Sequence, residues 1–89
     1  MVLNKAAQAG TIESADILIM IAPAEPGTGI QIELTSPTMQ QYGTHIKALI
    51  FKTLKEQGIE DALVHANEKG ALDCTIEARL KTAIARAMA

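Results

Sequence analysis

Three consecutive stretches decide the fold: Ile17-Leu18-Ile19-Met20-Ile21-Ala22, Pro23-Ala24-Glu25-Pro26-Gly27-Thr28-Gly29 and Ile30-Gln31-Ile32-Glu33-Leu34-Thr35. The first is a short, continuous apolar run rich in β-branched residues, the composition of a central strand buried on both faces or nearly so. In the third, Ile30, Ile32 and Leu34 alternate with Gln31, Glu33 and Thr35. That is the period of two expected when one face meets the core and the other meets water. The Gly-rich connector between them reads as the loop of a hairpin.

Working outward, Ala9-Gly10-Thr11-Ile12-Glu13 reads as a further extended segment that pairs with the Ile17 run through the turn Ser14-Ala15-Asp16. Downstream, Ser36 followed by Pro37 has the pattern of an N-cap with proline at the first helical position. Met39, Tyr42, Ile46, Leu49, Ile50 and Phe51 then recur mostly every three or four residues, predicting a long amphipathic helix that ends near Gly58. Ala62-Leu63-Val64-His65-Ala66 is another strand candidate with weak alternation, followed by the polar turn Asn67-Glu68-Lys69-Gly70. Asp73 is placed to cap a second helix whose stripe is Leu72, Ile76, Leu80, Ala83, Ile84 and Ala87, with Glu77, Arg79, Lys81 and Arg86 mostly outward. The expected class is α+β: a small mixed β-sheet with two helices packed on one face, order β-β-α-β-α, with room for an extra short N-terminal strand.

All 89 residues form a single domain on this reading. A domain of this size buries only about 60–65% of the surface its unfolded chain exposes, so a partner surface would add stability. With one Tyr, one Phe and no Trp, the chain has no stacking platform for nucleic acid. A net charge of −2 offers no basic field for a phosphate backbone or an anionic membrane. Met1-Val2-Leu3-Asn4-Lys5 lacks the apolar run of a signal peptide, and no stretch approaches the ~20 apolar residues of a membrane span. The expectation is a cytoplasmic protein that binds neither membrane nor nucleic acid. Cys74 is alone and the two histidines are scattered, which predicts neither an intrachain disulfide nor a structural metal site.

Nucleophile-elbow, zinc-protease, P-loop and dinucleotide-binding motifs are all missing, so no catalytic residue is assigned. Gly27-Thr28-Gly29 precedes a strand rather than a helix, the wrong context for a phosphate loop. Cys74 opens the second helix, where the dipole could activate a thiol, but it reads as structural. His45 and His65 read as partly exposed structural residues rather than bases. Ser14 stands out because the only other serine, Ser36, already has a capping role. A plain turn serine is the ordinary reading, and periodicity does not overturn it. Glu13 and Asp16 make Ser14 a poor nucleophile and a poor reversible phosphate site. A covalent phosphodiester does not depend on local attraction once formed, so an exposed loop hydroxyl suits a substrate better than a catalyst.

The stretch Ala9-Gly10-Thr11-Ile12-Glu13-Ser14-Ala15-Asp16, then Ile21-Ala22-Pro23, then Lys69-Gly70-Ala71-Leu72-Asp73-Cys74 and Ala78-Arg79-Leu80, resembles the citrate lyase acyl carrier (gamma chain) family over about Ala9 to Ala87. The resemblance implies a carrier, itself non-catalytic, with 2'-(5''-phosphoribosyl)-3'-dephospho-CoA attached covalently to Ser14 through a phosphodiester. The group's thiol would carry acetyl and citryl thioesters between the alpha (acyl transferase) and beta (citryl lyase) subunits. A prosthetic-group transferase is a third implied partner, with Glu13 and Asp16 as candidate docking charges. The family commonly has Gly where this chain has Ala15, a departure that matters only if the turn needs a positive φ there.

Four other readings compete. A malonate decarboxylase-type carrier uses the same kind of serine-linked coenzyme. A phosphopantetheine carrier would be a helical bundle with an Asp-Ser-Leu motif. An unmodified α+β docking or regulatory module would leave Ser14 as a turn residue. A small hydrolase would need His45 or His65 within hydrogen-bond reach of Ser14 or Cys74.

Overall fold

The computed structural model describes residues 2–37 and 39–89, and among these all side chains except those of Met39 and Gln40. The element order is β1 (Ala7–Gly10), β2 (Ile17–Pro23), β3 (Ile30–Thr35), α1 (Met39–Glu56), β4 (Ala62–Glu68) and α2 (Asp73–Met88). This is the α+β arrangement expected, and the extra N-terminal strand is present, ending at Gly10 rather than running on to Glu13. Among the described residues no helix is long and apolar enough to cross a membrane.

The sheet order is β1-β2-β4-β3, which overturns the expected β2–β3 hairpin. Pro23 and Ile30 both stand in register with Ala62, so β4 lies between the two strands. β2 pairs antiparallel with β1 and β4, whereas β3 and β4 are parallel, and α1 supplies the crossover that a parallel pair requires. The Gly-rich connector instead spans the end of β4. Gly27 N and Gly29 N donate to Asp61 Oδ1 at 3.0 and 2.8 Å, and Ala62 N donates to Gly29 O at 3.2 Å. Its amides are thus occupied by the chain's own carboxylate.

Both helices cover one face, α2 over β1 and β2 and α1 over β3, and the two helices touch. β4 runs under this seam, where its inward side chains Ala62, Val64 and Ala66 are small and fully buried. Alternation along β4 is therefore strict, but it is hidden in sequence because Leu63 points to the open face. β2 is likewise one-sided: Ile17, Ile19 and Ile21 are buried while Met20 is 41% exposed, because no layer covers the second face.

The buried stripe of α1 is Gly43, Ile46, Ile50, Thr53 and Leu54. Leu49 is partly buried, and Tyr42 and Phe51, assigned to the stripe from sequence, lie on the helix flanks. Lys55 Nζ sits 5.9 Å from the Phe51 ring centroid. Met39, also assigned to the stripe, has its side chain outside the described residues, as has Thr38 next to the expected Ser36–Pro37 start. The helix closes as expected, with Gly58 at φ +79° and Ile59 N donating to Leu54 O at 3.0 Å.

On α2 the buried stripe is Ile76, Leu80, Ala83, Ile84 and Ala87. Leu72 is not on it. It occupies the N-cap position in an extended conformation, φ −73° and ψ 156°, so its side chain leaves the helical face and is 70% exposed. Asp73 is therefore the first helical residue rather than the cap, and the cap makes no side-chain hydrogen bond.

Gly10 ends β1 at φ +99°, and a Cβ built there would lie 1.8 Å from Ile17 O across the ladder. Adding one methyl combines backbone strain with a clash that only backbone movement relieves. Gly10→Ala is expected to lower the unfolding free energy by about 3 kcal/mol in urea titration. A loss below about 1 kcal/mol would show that the strand end adapts.

Candidate site at the Ser14 turn

Thr11 to Asp16 connects β1 to β2. The turn closes on itself through three bonds: Asp16 N donates to Glu13 O at 3.1 Å, Glu13 N to Thr11 Oγ1 at 3.2 Å, and Thr11 Oγ1 to Asp16 Oδ2 at 2.7 Å. Asp16 Oδ1 also accepts from Ile17 N at 2.7 Å, which fixes the carboxylate at the start of β2.

Two distant segments then hold the turn. Arg79, on α2, donates from Nε to Asp16 Oδ1 at 3.1 Å and from Nη2 to Asp16 Oδ2 at 2.8 Å, a forked pair whose geometry suits guanidinium and carboxylate. Ala15 N donates to Lys69 O at 2.7 Å, and Lys69 N donates to Asp16 O at 2.9 Å. The two sequence motifs, with Asp16 and Arg79 63 residues apart, are one structural unit.

Behind Lys69 stands Glu68, 1% exposed. It extends β4 beyond the expected turn. Its Oε2 accepts from the backbone N–H groups of Gly70 and Ala71, and its Oε1 accepts from Ser36 Oγ at 2.8 Å. A carboxylate supplied with donors on both oxygens can be buried at the end of a strand. Glu68 reads as a turn residue in sequence; its only signal there is the inward parity it shares with Ala62, Val64 and Ala66.

Ser14 is exposed, and among the described residues its hydroxyl is held by no hydrogen bond. Glu13 is exposed beside it, while the Asp16 carboxylate faces Arg79. The loop is open but clamped. Ala15 has φ +65°, the left-handed region in which an L-alanine is strained.

His45 Nε2 lies 2.9 Å from Asp73 Oδ2, and His65 Nδ1 lies 3.2 Å from Glu33 Oε2. Both rings are more than half exposed, and neither meets Ser14 or Cys74 among the described residues. The nucleophile–base contact that a hydrolase needs is not formed. Cys74 is exposed in the first turn of α2.

The Asp16 carboxyl is held well below the usual carboxylate range, first by its hydrogen bonds from Arg79, then by those from Thr11 and from Ile17 N. A depressed folded-state value contributes stability that is fully present above the unfolded value, about 3.9, and is lost as pH falls toward the folded one. In thermal melts Asp16→Asn should be less stable than wild type near neutral pH, with the gap narrowing below about pH 4. A gap independent of pH would show that the charge of Asp16 is not its source.

Relief of the positive φ at Ala15, worth about 1–2 kcal/mol, outweighs the added unfolded-state entropy of glycine, about 0.4–1 kcal/mol. Ala15→Gly should therefore stabilise the chain by about 0.5–1 kcal/mol in urea titration, and a destabilised variant would contradict this balance.

Comparison with known proteins places the chain in a family. The family model described as "Malonate decarboxylase delta subunit (MdcD)", ACP, matches residues 4–87. The citrate lyase acyl carrier protein of Streptococcus equi subsp. equi is 48% identical over 87 residues, covering 98% of this chain and 84% of that one. The protein of the same name from Albidiferax ferrireducens is 44% identical over 88 residues, covering 99% and 89%. In fold, the chain resembles one in a crystal structure of a Pseudomonas malonate decarboxylase hetero-tetramer in complex with malonate, with a TM-score of 0.75 at 18% identity, covering 97% of this chain and 87% of that one. The chain belongs to the family of acyl carrier proteins that includes the citrate lyase carriers and is described by the malonate decarboxylase delta subunit.

Proposed function

We propose that this protein is the covalent acyl carrier subunit of a citrate lyase, itself non-catalytic, with phosphoribosyl-dephospho-coenzyme A joined to Ser14 through a phosphodiester. The observation that carries the reading is the Ser14 hydroxyl itself: exposed, unbonded among the described residues, and set on a turn held from both sides by Arg79 and Lys69. Relatives at 44–48% identity over nearly the whole chain, named citrate lyase acyl carrier protein, support it.

The residues fit such a group. Among the described residues nothing bonds the hydroxyl, and the clamp uses up Asp16 and the Lys69 backbone without using Ser14. When attached, the group would supply a thiol on a long arm, able to hold acetyl and citryl groups as thioesters between an alpha acyl transferase and a beta citryl lyase. The chain's own part is to hold the attachment point. Asp16 and Arg79 fix the foot of the arm, and Glu13 presents a solvated charge beside it as a docking contact. A tether of this kind keeps the acyl group at about millimolar effective concentration near each active site.

The family model and the fold neighbour, both described through malonate decarboxylase, favour a second reading: the same serine-linked carrier serving a decarboxylase. Intact and peptide mass spectrometry of the chain from its native host grown on citrate tests the first. The expected result is a coenzyme-sized addition on the Ser14 peptide, absent in Ser14→Ala, with citrate lyase activity lost in the variant. A bare Ser14 in active complex would overturn it. A modified Ser14 purified with a malonate decarboxylase would transfer the carrier role to that enzyme.

A further inference from the structure

The two edges of the sheet are treated differently by the chain. At β1, only four residues long, Arg86 Nη1 donates to Gln8 O at 2.9 Å, and the segment before it is tied to α2 by Asn4 N and Lys5 N, both donating to Ala87 O. At the other edge, β3 runs for six residues with no strand beyond it, and among the described residues no loop or side chain bonds to its outer side. An open edge offers a row of N–H and C=O groups to another chain. Ile30 and Ile32, which face the core from this edge strand, are only partly buried.

One flank of α1 stands over the same edge. The buried stripe of Gly43, Ile46, Ile50 and Leu54 divides the helix into two sides. On one side His45 meets Asp73 of α2, and Tyr42 and Leu49 share its flank. On the opposite side Lys47, Phe51 and Lys55 recur every fourth residue and so form one line along the helix. Because α2 packs on β1 and β2 and α1 packs on β3 and α2, the flank turned away from α2 lies on the side of the free β3 edge. Phe51 is 47% exposed there, between two exposed lysines that pair with no carboxylate among the described residues.

We propose that the β3 edge and the Lys47-Phe51-Lys55 flank form one docking surface for an extended segment of a partner subunit, which adds a fifth strand and turns carboxylates toward α1. Backbone bonds to β3 supply affinity, apolar side chains on the helix side cover Ile30, Ile32 and Phe51, and the carboxylates meet the two lysines. Charge chooses this occupant over a second copy. Two copies joined antiparallel through β3 would bring their α1 flanks together, lysines against lysines, and the single acid of α1, Glu56, lies off that line. That the partner is an enzyme subunit rests on the carrier reading above; the surface itself does not. The Ser14 turn joins β1 and β2, on the far side of β4 from β3, so a subunit held at this edge leaves the turn free to work.

The test compares the free chain with the chain in the complex purified from its native host. Amide exchange in β3 should slow at least about tenfold in the complex. Carbodiimide coupling, which joins an amine directly to a carboxylate, should link Lys47 or Lys55 to one acidic segment of a partner subunit in peptide mass spectra. Phe51→Glu and Lys47→Glu should each weaken assembly about tenfold, Phe51→Leu should assemble like wild type, and equal melting temperatures of the free variants would separate docking from folding. Equal β3 exchange in both states, lysine links only to a second copy of this chain, or assembly unchanged in both Glu variants would overturn the surface. Mass analysis of the Ser14 peptide in the same complex keeps the two readings apart: a loaded Ser14 with unprotected β3 removes the surface alone, and a bare Ser14 with protected β3 removes the carrier role alone.

Discussion

The carboxylate of Asp16 is the point on which the rest of this structure depends. It receives Arg79 from α2, Thr11 from within its own loop and Ile17 N from the first residue of β2. One side chain thereby sets the foot of the loop, the start of a central strand and the rotation of the C-terminal helix. Surface ion pairs contribute little when they hold two free side chains together. This one is forked, the Asp16 side chain is only 15% exposed, and two further groups, Thr11 Oγ1 and Ile17 N, already bond its carboxylate, so less freedom remains to be lost.

A second layer of the same logic runs through Glu68. Burying a carboxylate at a strand end is costly unless each oxygen finds donors, and the donors here are Ser36 and the backbone of Gly70 and Ala71. Those bonds shape the bend that carries Lys69, and the Lys69 backbone in turn holds Ala15 and Asp16. The order of dependence thus runs from the end of β4 through Lys69 to the turn that presents Ser14. It accounts for the pairing of two motifs far apart in sequence: each supplies half of one hydrogen-bonded unit.

Much of the fold was legible in the residues. Alternation at Ile30, Ile32 and Leu34, the Ile17 run and the stripe from Ile76 to Ala87 gave the strands and the second helix because periodicity encodes which side is buried. Strand order was not legible, since β3 has the same alternation whether it pairs with β2 in a hairpin or with β4 after a crossover. Pairing by β4 decides it, and the small inward residues of that strand give little hydrophobic signal. The site divided in the same way. Ser14 stood out by elimination, yet Arg79 read as an outward charge and Glu68 as part of a polar turn. No local pattern encodes a contact 63 residues away, such as Arg79 with Asp16. Leu72 shows the limit of periodicity most directly: it keeps the spacing of the α2 stripe but sits one residue before the helix, where helical geometry no longer places its side chain.

The clamped turn also separates two mechanical requirements that a carrier must meet. An arm that serves distant active sites has to be flexible, whereas the surface by which a loading enzyme recognises its foot gains affinity from being ordered beforehand. A covalent group on Ser14, as proposed, would place the flexibility in the arm and leave the order to the protein. On the proposed reading the protein needs only a four-stranded sheet with two helices, and reach would be supplied by the attached group. The strained Ala15 fits this division. A left-handed residue next to Ser14 turns the chain sharply enough for Ala15 N to meet Lys69 O while the Ser14 side chain stays in solvent, and the neighbouring hydrogen bonds hold the conformation against its cost.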